Sequence, residues 1–199
     1  MKRWMKEDIN TPEYFDHKWT HNTYQFDHSR LNNLLRYFKG GKVLDLGAGV
    51  KGLCHWLAID PRRKEASKAT DLVCVDYSKE AQRIVTEITP DVIYFVGDLR
   101  YTMFADSTFD MVASSEVIEH MEEPEQLVSE MWRVVKPDGV ATISTVDPTG
   151  PVRRAGCVFP EHLWEFTPED LKEMFGKYFN RVEYALLGDY HFIWAMEKK

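Results

Sequence analysis

Three glycines, Gly47, Gly49 and Gly52, stand as G-x-G-x-x-G in the segment VLDLGAGVKG. Glycine has no Cβ, so such a segment turns sharply and lets a ligand approach the backbone, while the N–H groups that open the next helix point at it. Alone the pattern admits a nicotinamide dinucleotide enzyme or a turn that holds no ligand. Asp76, the last residue of DLVCVD, sets a carboxylate at a strand end, where it can accept both hydroxyls of a ribose or simply close a turn. It follows Asp45 by 31 residues, beyond the roughly 20 of the dinucleotide fingerprint. The polar insertion PRRKEASKAT accounts for the excess. Gly97-Asp98 ends the next apolar run and can bring a carboxylate beside an adenine amino group.

A different chemistry is available in FDMVASSEVIEHM, where a strand passes through small serines into an acidic helix start. Glu116, Glu119 and His120 form E-x-x-E-H, and these positions share one face if the segment is helical. Two carboxylates and an imidazole so placed can hold a divalent ion, with His162 as a fourth ligand. Oxygen ligands suit magnesium, and the histidines tilt the choice toward manganese or zinc. His120 with Glu119 can instead remove a proton from a hydroxyl. The bland alternative is a glutamate that contacts a cofactor and a histidine that orders its loop. The irregular stretch from Asp147 to Phe166, DPTGPVRRAGCVFPEHLWEF, follows a strand and so should border a pocket. His162, Trp164 and Phe166 are its candidates for contact with a second substrate; packing against the sheet is the other fate of the two aromatics.

These residues need a scaffold of alternating strands and helices. The strand-like runs are KVLDL, DLVCVD, DVIYFVGD, FDMVASS and GVATIST, and the helical ones are LCHWLAI, KEAQRIVTEI and PEQLVSEMWRVV. That rhythm predicts a parallel sheet with helices on both faces. Before it, Leu31, Leu34, Leu35 and Phe38 have helical spacing, with Ser29 as N-cap and Gly40 beyond the end. Residues 1–27 are rich in charges, histidines and aromatics and read as an irregular arm or short helix, whose aromatics can form a lid or a stabilising surface wrap. After the sheet, Thr167-Pro168-Glu169-Asp170 opens a helix with acidic residues in its first turn. RVEYALLGDYHFIWAME then reads as a hairpin about Gly188-Asp189.

One domain over 1–199 is expected: arm and helix in 1–40, cofactor core in 41–146, acceptor-side loop in 147–166, final helix and hairpin in 167–199. The net charge of −7 and pI near 5.5 argue against a broad nucleic-acid platform. The short basic runs, Lys2 to Lys6, Arg62 to Lys68 and Arg153-Arg154, read as solvated surface. Cys54, Cys74 and Cys157 show no disulfide or zinc pattern and fit a reducing cytoplasm. No signal peptide and no membrane span are expected.

From Lys42 to Thr145 the chain resembles the class I S-adenosylmethionine-dependent methyltransferases, in particular the small-molecule branch with the ubiquinone-biosynthesis O-methyltransferases. VLDLGAGVKG, CVDYS, VGDL, FDMVASSEVIEHM and RVVKPDGVATIST occur in the family's order. The resemblance implies a Rossmann-like α/β/α sandwich with a seven-stranded, mostly parallel sheet of order 3-2-1-4-5-7-6 and an antiparallel seventh strand. A doubly wound dehydrogenase sheet would stay parallel. It implies that Asp45, Gly47, Ala48 and Gly49 surround the methionine moiety, with Ser115 nearby. Asp76 holds the ribose, Tyr77 flanks the adenine, and Asp98 with Leu99 meets its edge. Lys51 stands where the family usually has a further glycine. E-x-x-E-H also resembles the metal-ligand motif of small-RNA 2′-O-methyltransferases. Methyl transfer to a hydroxyl of a small molecule is therefore the leading expectation. An RNA 2′-O-methyltransferase and a noncatalytic cofactor-binding subunit are its rivals.

Overall fold

Short apolar runs bounded by turn residues become the strands of one sheet in the computed structural model, which describes residues 1–3, 10–21, 27–150 and 159–199. Seven strands form it: β2 (Gly41–Leu46), β3 (Ala69–Asp76), β4 (Val92–Val96), β5 (Phe109–Ser115), β6 (Val135–Val146), β8 (Phe179–Leu187) and β9 (Tyr190–Lys198). Their order is β4-β3-β2-β5-β6-β9-β8. In order of succession this is 3-2-1-4-5-7-6, as expected. All neighbours are parallel except β9, which is antiparallel to both β6 and β8. The hairpin turns at Gly188, whose φ of +63° suits glycine. Two short strands, β1 (Lys2–Arg3) and β7 (Trp164–Glu165), pair with each other and tie part of the 147–166 loop to the chain's start.

Alternate residues of each strand divide between two cores. On one face Leu44, Val73, Val112 and Ile193 pack under α6 (Pro124–Val134) and α7 (Pro168–Gly176). On the other face Val43, Cys74, Met111 and Trp194 pack under α2 (His28–Leu34), α3 (Leu53–Ala58) and α5 (Lys79–Ile88). Pro124 occupies the first turn of α6, and Leu127, Met131 and Val134 are fully buried, as their spacing predicts. Thr167 and Asp170 close a reciprocal capping box on α7.

Three local expectations change. The N-cap of α2 is Asp27, which accepts from the Arg30 N–H at 2.9 Å, rather than Ser29. The helix also stops at Leu34, before the run of apolar spacing ends. The polar insertion is itself helical, as α4 (Pro61–Ser67), because Asp60 caps it and Pro61 presets its first turn. EVIEH forms no α-helix: Glu116 has a φ of +56°, and only Ile118–His120 make a 3-10 turn. The arm contributes a helix, α1 (Pro12–Thr20), capped by Thr11. Trp4, Tyr24, Phe26, Arg153, Arg154 and Cys157 lie outside the described residues. Among the described residues, no helix is long and apolar enough to cross a membrane.

Candidate functional site

The glycine segment leaves β2 and enters α3 along a path that side chains would block. Gly47 has a φ of +74° and donates its N–H to the Val75 carbonyl at 2.8 Å. A Cβ on Gly47 would overlap Val117, and one on Gly52 would overlap the Asp45 carboxylate and the Ala48 carbonyl. Asp76, at the end of β3, accepts from the Gly49 N–H and the Ser78 N–H, both at 2.9 Å. Each of its oxygens keeps a second acceptor position. Asp45 is fully buried, and one of its oxygens accepts from the Cys54 N–H at 3.1 Å. The other has no hydrogen-bond partner among the described residues. Burial pushes the Asp45 carboxyl up to about 7 and also raises that of Asp76.

Beside this turn lies a cavity of about 600 Å³ at the carboxyl ends of β2, β3, β5 and β6. Asp45, Gly47, Ala48, Asp76, Tyr77, Leu99 and Ser115 all line it, as does Lys51. Gly49 and Asp98 do not. The Trp19 ring of α1 covers Gly49. The Asp98 carboxylate is held by Arg100, whose Nη2 lies 2.6 Å and Nε 3.0 Å from it. Burial raises the half-buried Tyr77 phenol to about 12, so it is neutral and can flank a flat ring. The glycine cradle, the orphaned Asp45 oxygen and the spare acceptor capacity of Asp76 fit a ligand with a cationic amine and a ribose.

The far end of the cavity is built from side chains. Glu116, His120 and His162 line it; Glu119 and Trp164 do not. Glu119 is fully buried behind the wall, and neither of its oxygens has a hydrogen-bond partner among the described residues. Burial, with Glu116 nearby, holds its carboxyl well above the usual range. Trp164 donates its indole N–H to the Met121 carbonyl at 2.8 Å and lies under the Arg3 guanidinium. Phe166 is buried in the core.

Because Glu116 adopts the left-handed conformation, it leaves the face that a helix would have shared with Glu119 and His120. It turns toward Ser144 and Arg30, whose Nη1 lies 3.6 Å away. The ligand atoms of Glu119, His120 and His162 lie within 4.8 Å of one another, without Glu116. Two carboxylates and two imidazoles therefore do not converge; one carboxylate and two imidazoles do.

His120 is oriented by its neighbours. Its Nδ1 lies 2.9 Å from the Glu161 carbonyl, which can only accept, so Nδ1 carries a proton. In the neutral ring the lone pair is then on Nε2. The His162 ring meets it edge-on at 4.8 Å and stacks on Phe159 at 4.7 Å. Phe15 and Trp19 of the arm line the cavity, as a lid would, and so do Lys18, Arg30, Glu161 and Tyr190, to which the sequence did not point. Lys18 and Glu161 lie in segments without period, and Arg30 and Tyr190 lie in a helix and a strand whose apolar spacing says nothing of their partners.

The Methyltransferase domain family model matches residues 44–143. Demethylmenaquinone methyltransferase of Renibacterium salmoninarum is 31% identical over 131 residues, covering 65% of this chain and 51% of that protein. Ubiquinone biosynthesis O-methyltransferase of Rickettsia typhi is 22% identical over 198 residues, covering 92% of this chain and 78% of that protein. The chain spans about half the length of the first curated relatives it matches. Among solved structures, a Pyrococcus horikoshii protein superposes with a TM-score of 0.68 at 24% identity, covering 96% of this chain and 94% of that one. A SAM-dependent methyltransferase of Thermotoga maritima does so at 0.66 and 18%, covering 85% and 88%. These likenesses extend the fold to nearly the whole chain.

Proposed function

The chain belongs to the methyltransferase-domain family, and from that premise we propose that it transfers a methyl group from S-adenosylmethionine to a hydroxyl oxygen of a small molecule. The observation that carries this reading is one cavity lined at one end by the glycine turn with Asp76, and at the other by His120 with its lone pair on Nε2. When bound, the cofactor supplies a sulfonium methyl that is already electrophilic, so much of the catalysis is positioning. Asp76 holds the ribose hydroxyls, Tyr77 and Leu99 flank the adenine, and Asp45 with Gly47 and Ala48 encloses the methionine end. His120 Nε2 takes the acceptor's hydroxyl proton as the oxygen–carbon bond forms, leaving S-adenosylhomocysteine. Residues 1–199 act as one unit in this scheme, and the free thiols Cys54 and Cys74 fit a cytoplasmic setting.

A divalent ion is a second reading, favoured by the convergence of Glu119, His120 and His162. A carboxyl that is buried without hydrogen bonds becomes an anionic ligand once a cation offsets the burial. Calorimetric titration of manganese into wild type and His120→Ala tests this; absence of binding in both ends it. The acidic chain makes RNA the weaker acceptor class, and salt-insensitive, undetectable affinity for short RNA is the expected result.

The test of the main reading is a mass-spectrometric screen of phenols, sugars and amines for gain of one methyl group, run beside calorimetry with S-adenosylhomocysteine. Methylated hydroxyl compounds are expected. Cofactor binding with no methylated product from any of them would leave only a noncatalytic binding role, and methylated amines alone would move the reaction to nitrogen.

A further inference from the structure

The Glu161 carbonyl that orients His120 is itself held by the N-terminal arm. Asn10 Nδ2 donates to it at 3.0 Å and also to the His120 carbonyl at 3.1 Å, bridging the two segments. Lys18 Nζ lies 2.7 Å from Glu161 Oε1, in a pair whose side chains are 21% and 8% exposed. Phe15, between them in sequence, meets the His120 ring edge-on at 6.0 Å, and the Lys18 ammonium sits over the Phe15 face at 5.6 Å. The helix α1, which carries Phe15 and Lys18 and whose N-cap Thr11 follows Asn10 directly, is anchored at the opposite end of the cavity. Asp16 Oδ1 accepts from the Ser78 hydroxyl at 2.5 Å and the Glu80 N–H at 3.0 Å, and Trp19 lies on Gly49.

We propose that Asn10 and Lys18 are positioning residues: by pinning residue 161 they hold its carbonyl against His120 Nδ1 and so fix the tautomer that leaves the lone pair on Nε2. The physical reason is that a backbone carbonyl selects a tautomer only while it stays in place. With both ties present, residue 161 is held through its side chain and its carbonyl at once, from two points of the arm. Without them both ties from the arm to residue 161 are gone, and its carbonyl depends on neighbouring contacts such as the Leu163 N–H to the Glu119 carbonyl at 2.8 Å. The ring can then adopt the Nε2–H form, whose proton occupies the atom that must receive the acceptor's proton. The arm therefore does more than cover the cavity. It carries the order of the cofactor-side anchor, Ser78 beside Asp76, across to the acceptor side.

This inference rests on the reading of His120 as the base, but its test does not need turnover. Ring-nitrogen NMR shifts of protein labelled with 15N-histidine, at a pH where the ring is neutral, report the His120 tautomer, with His120→Gln assigning the signal. Wild type should show Nδ1–H. In Asn10→Ala/Lys18→Met the ratio of Nδ1–H to Nε2–H should fall about tenfold, the equivalent of one net hydrogen bond. Lys18→Arg should keep the wild-type ratio, and the affinity of all three for S-adenosylhomocysteine should stay within about twofold. An Nε2–H signal in wild type, or an unchanged ratio in the double variant, overturns the proposal. On an acceptor found by the methyl-gain screen, kcat should fall in step with the ratio while KM for the cofactor holds. A shifted ratio with unchanged kcat would instead refute His120 as base and leave the positioning inference standing.

Discussion

The two ends of the cavity are built differently. The end at the glycine turn consists of turns that leave three neighbouring parallel strands, β3, β2 and β5, and its polar groups are mainly backbone N–H groups and two carboxylates at strand ends. The other end is assembled from α1, the turn after β5 and the 159–163 segment, which lie far apart in sequence and meet through side chains such as Lys18 on Glu161. A backbone-made end tolerates no added volume, because its atoms cannot move aside. A side-chain-made end tolerates change in volume but depends on charge and hydrogen bonding.

The largest effect that separates the ends should come from Asp45→Asn. The folded carboxyl, pushed from an ordinary 3.8 up to about 7, ionises less readily than in the unfolded chain. Its contribution to stability is therefore fully present below about pH 4 and lost as pH rises through about 7, a tilt on the order of 4 kcal/mol. Melting of the cofactor-free protein between pH 4 and 8 should flatten in the variant; an equally steep decline in both would show that Asp45 is not the source. Next, His120→Ala should slow turnover by about a hundredfold or more while leaving the Kd of S-adenosylhomocysteine within about twofold. A matching loss of cofactor affinity would erase the distinction between the ends.

Gly52→Ala should do the reverse. The added methyl meets Asp45 and Ala48 and should cost about 1–3 kcal/mol of stability as overpacking; by displacing the turn and the Asp45 carboxylate it should also weaken cofactor binding by about tenfold, the equivalent of one lost hydrogen bond. Calorimetry with S-adenosylhomocysteine measures it, and wild-type affinity would mean that the turn is softer than its contacts imply. The smallest effect belongs to Trp164→Phe, which removes the bond to the Met121 carbonyl and should cost about 1 kcal/mol of stability by denaturant titration. A change in acceptor KM in that variant would bring Trp164 back into the site.

The glycine-turn end of the cavity was largely legible because its groups fall at the ends of apolar runs, although the contact from Gly49 to Asp76 itself spans 27 residues. Gly47, Asp76 and Leu99 each sit at the end of an apolar run, and the parallel sheet brings successive strand ends together. The resemblance of five ordered motifs added the strand order. EVIEH shows the limit of that logic. Its spacing suits a helix, yet Glu116 turns left-handed as its N–H bonds to the Ser144 carbonyl on β6, a partner 28 residues away. Ser29 lost the cap of α2 for a simpler reason: the helix starts at His28, so Ser29 lies inside it and Asp27 stands at the position where a side chain can cap.

The sequence by itself therefore determined the alternation of strands and helices, the glycine positions and the strand-end carboxylates, since each is marked within its own short segment. Only the tertiary structure decided which groups line the far end of the cavity. That Lys18 meets Glu161, that Arg30 meets Glu116, and that Glu119 is sealed behind the wall while His120 opens onto the cavity are outcomes of packing between distant segments. No period or spacing encodes them, because their energy comes from burial and pairing that exist only once the sheet has formed.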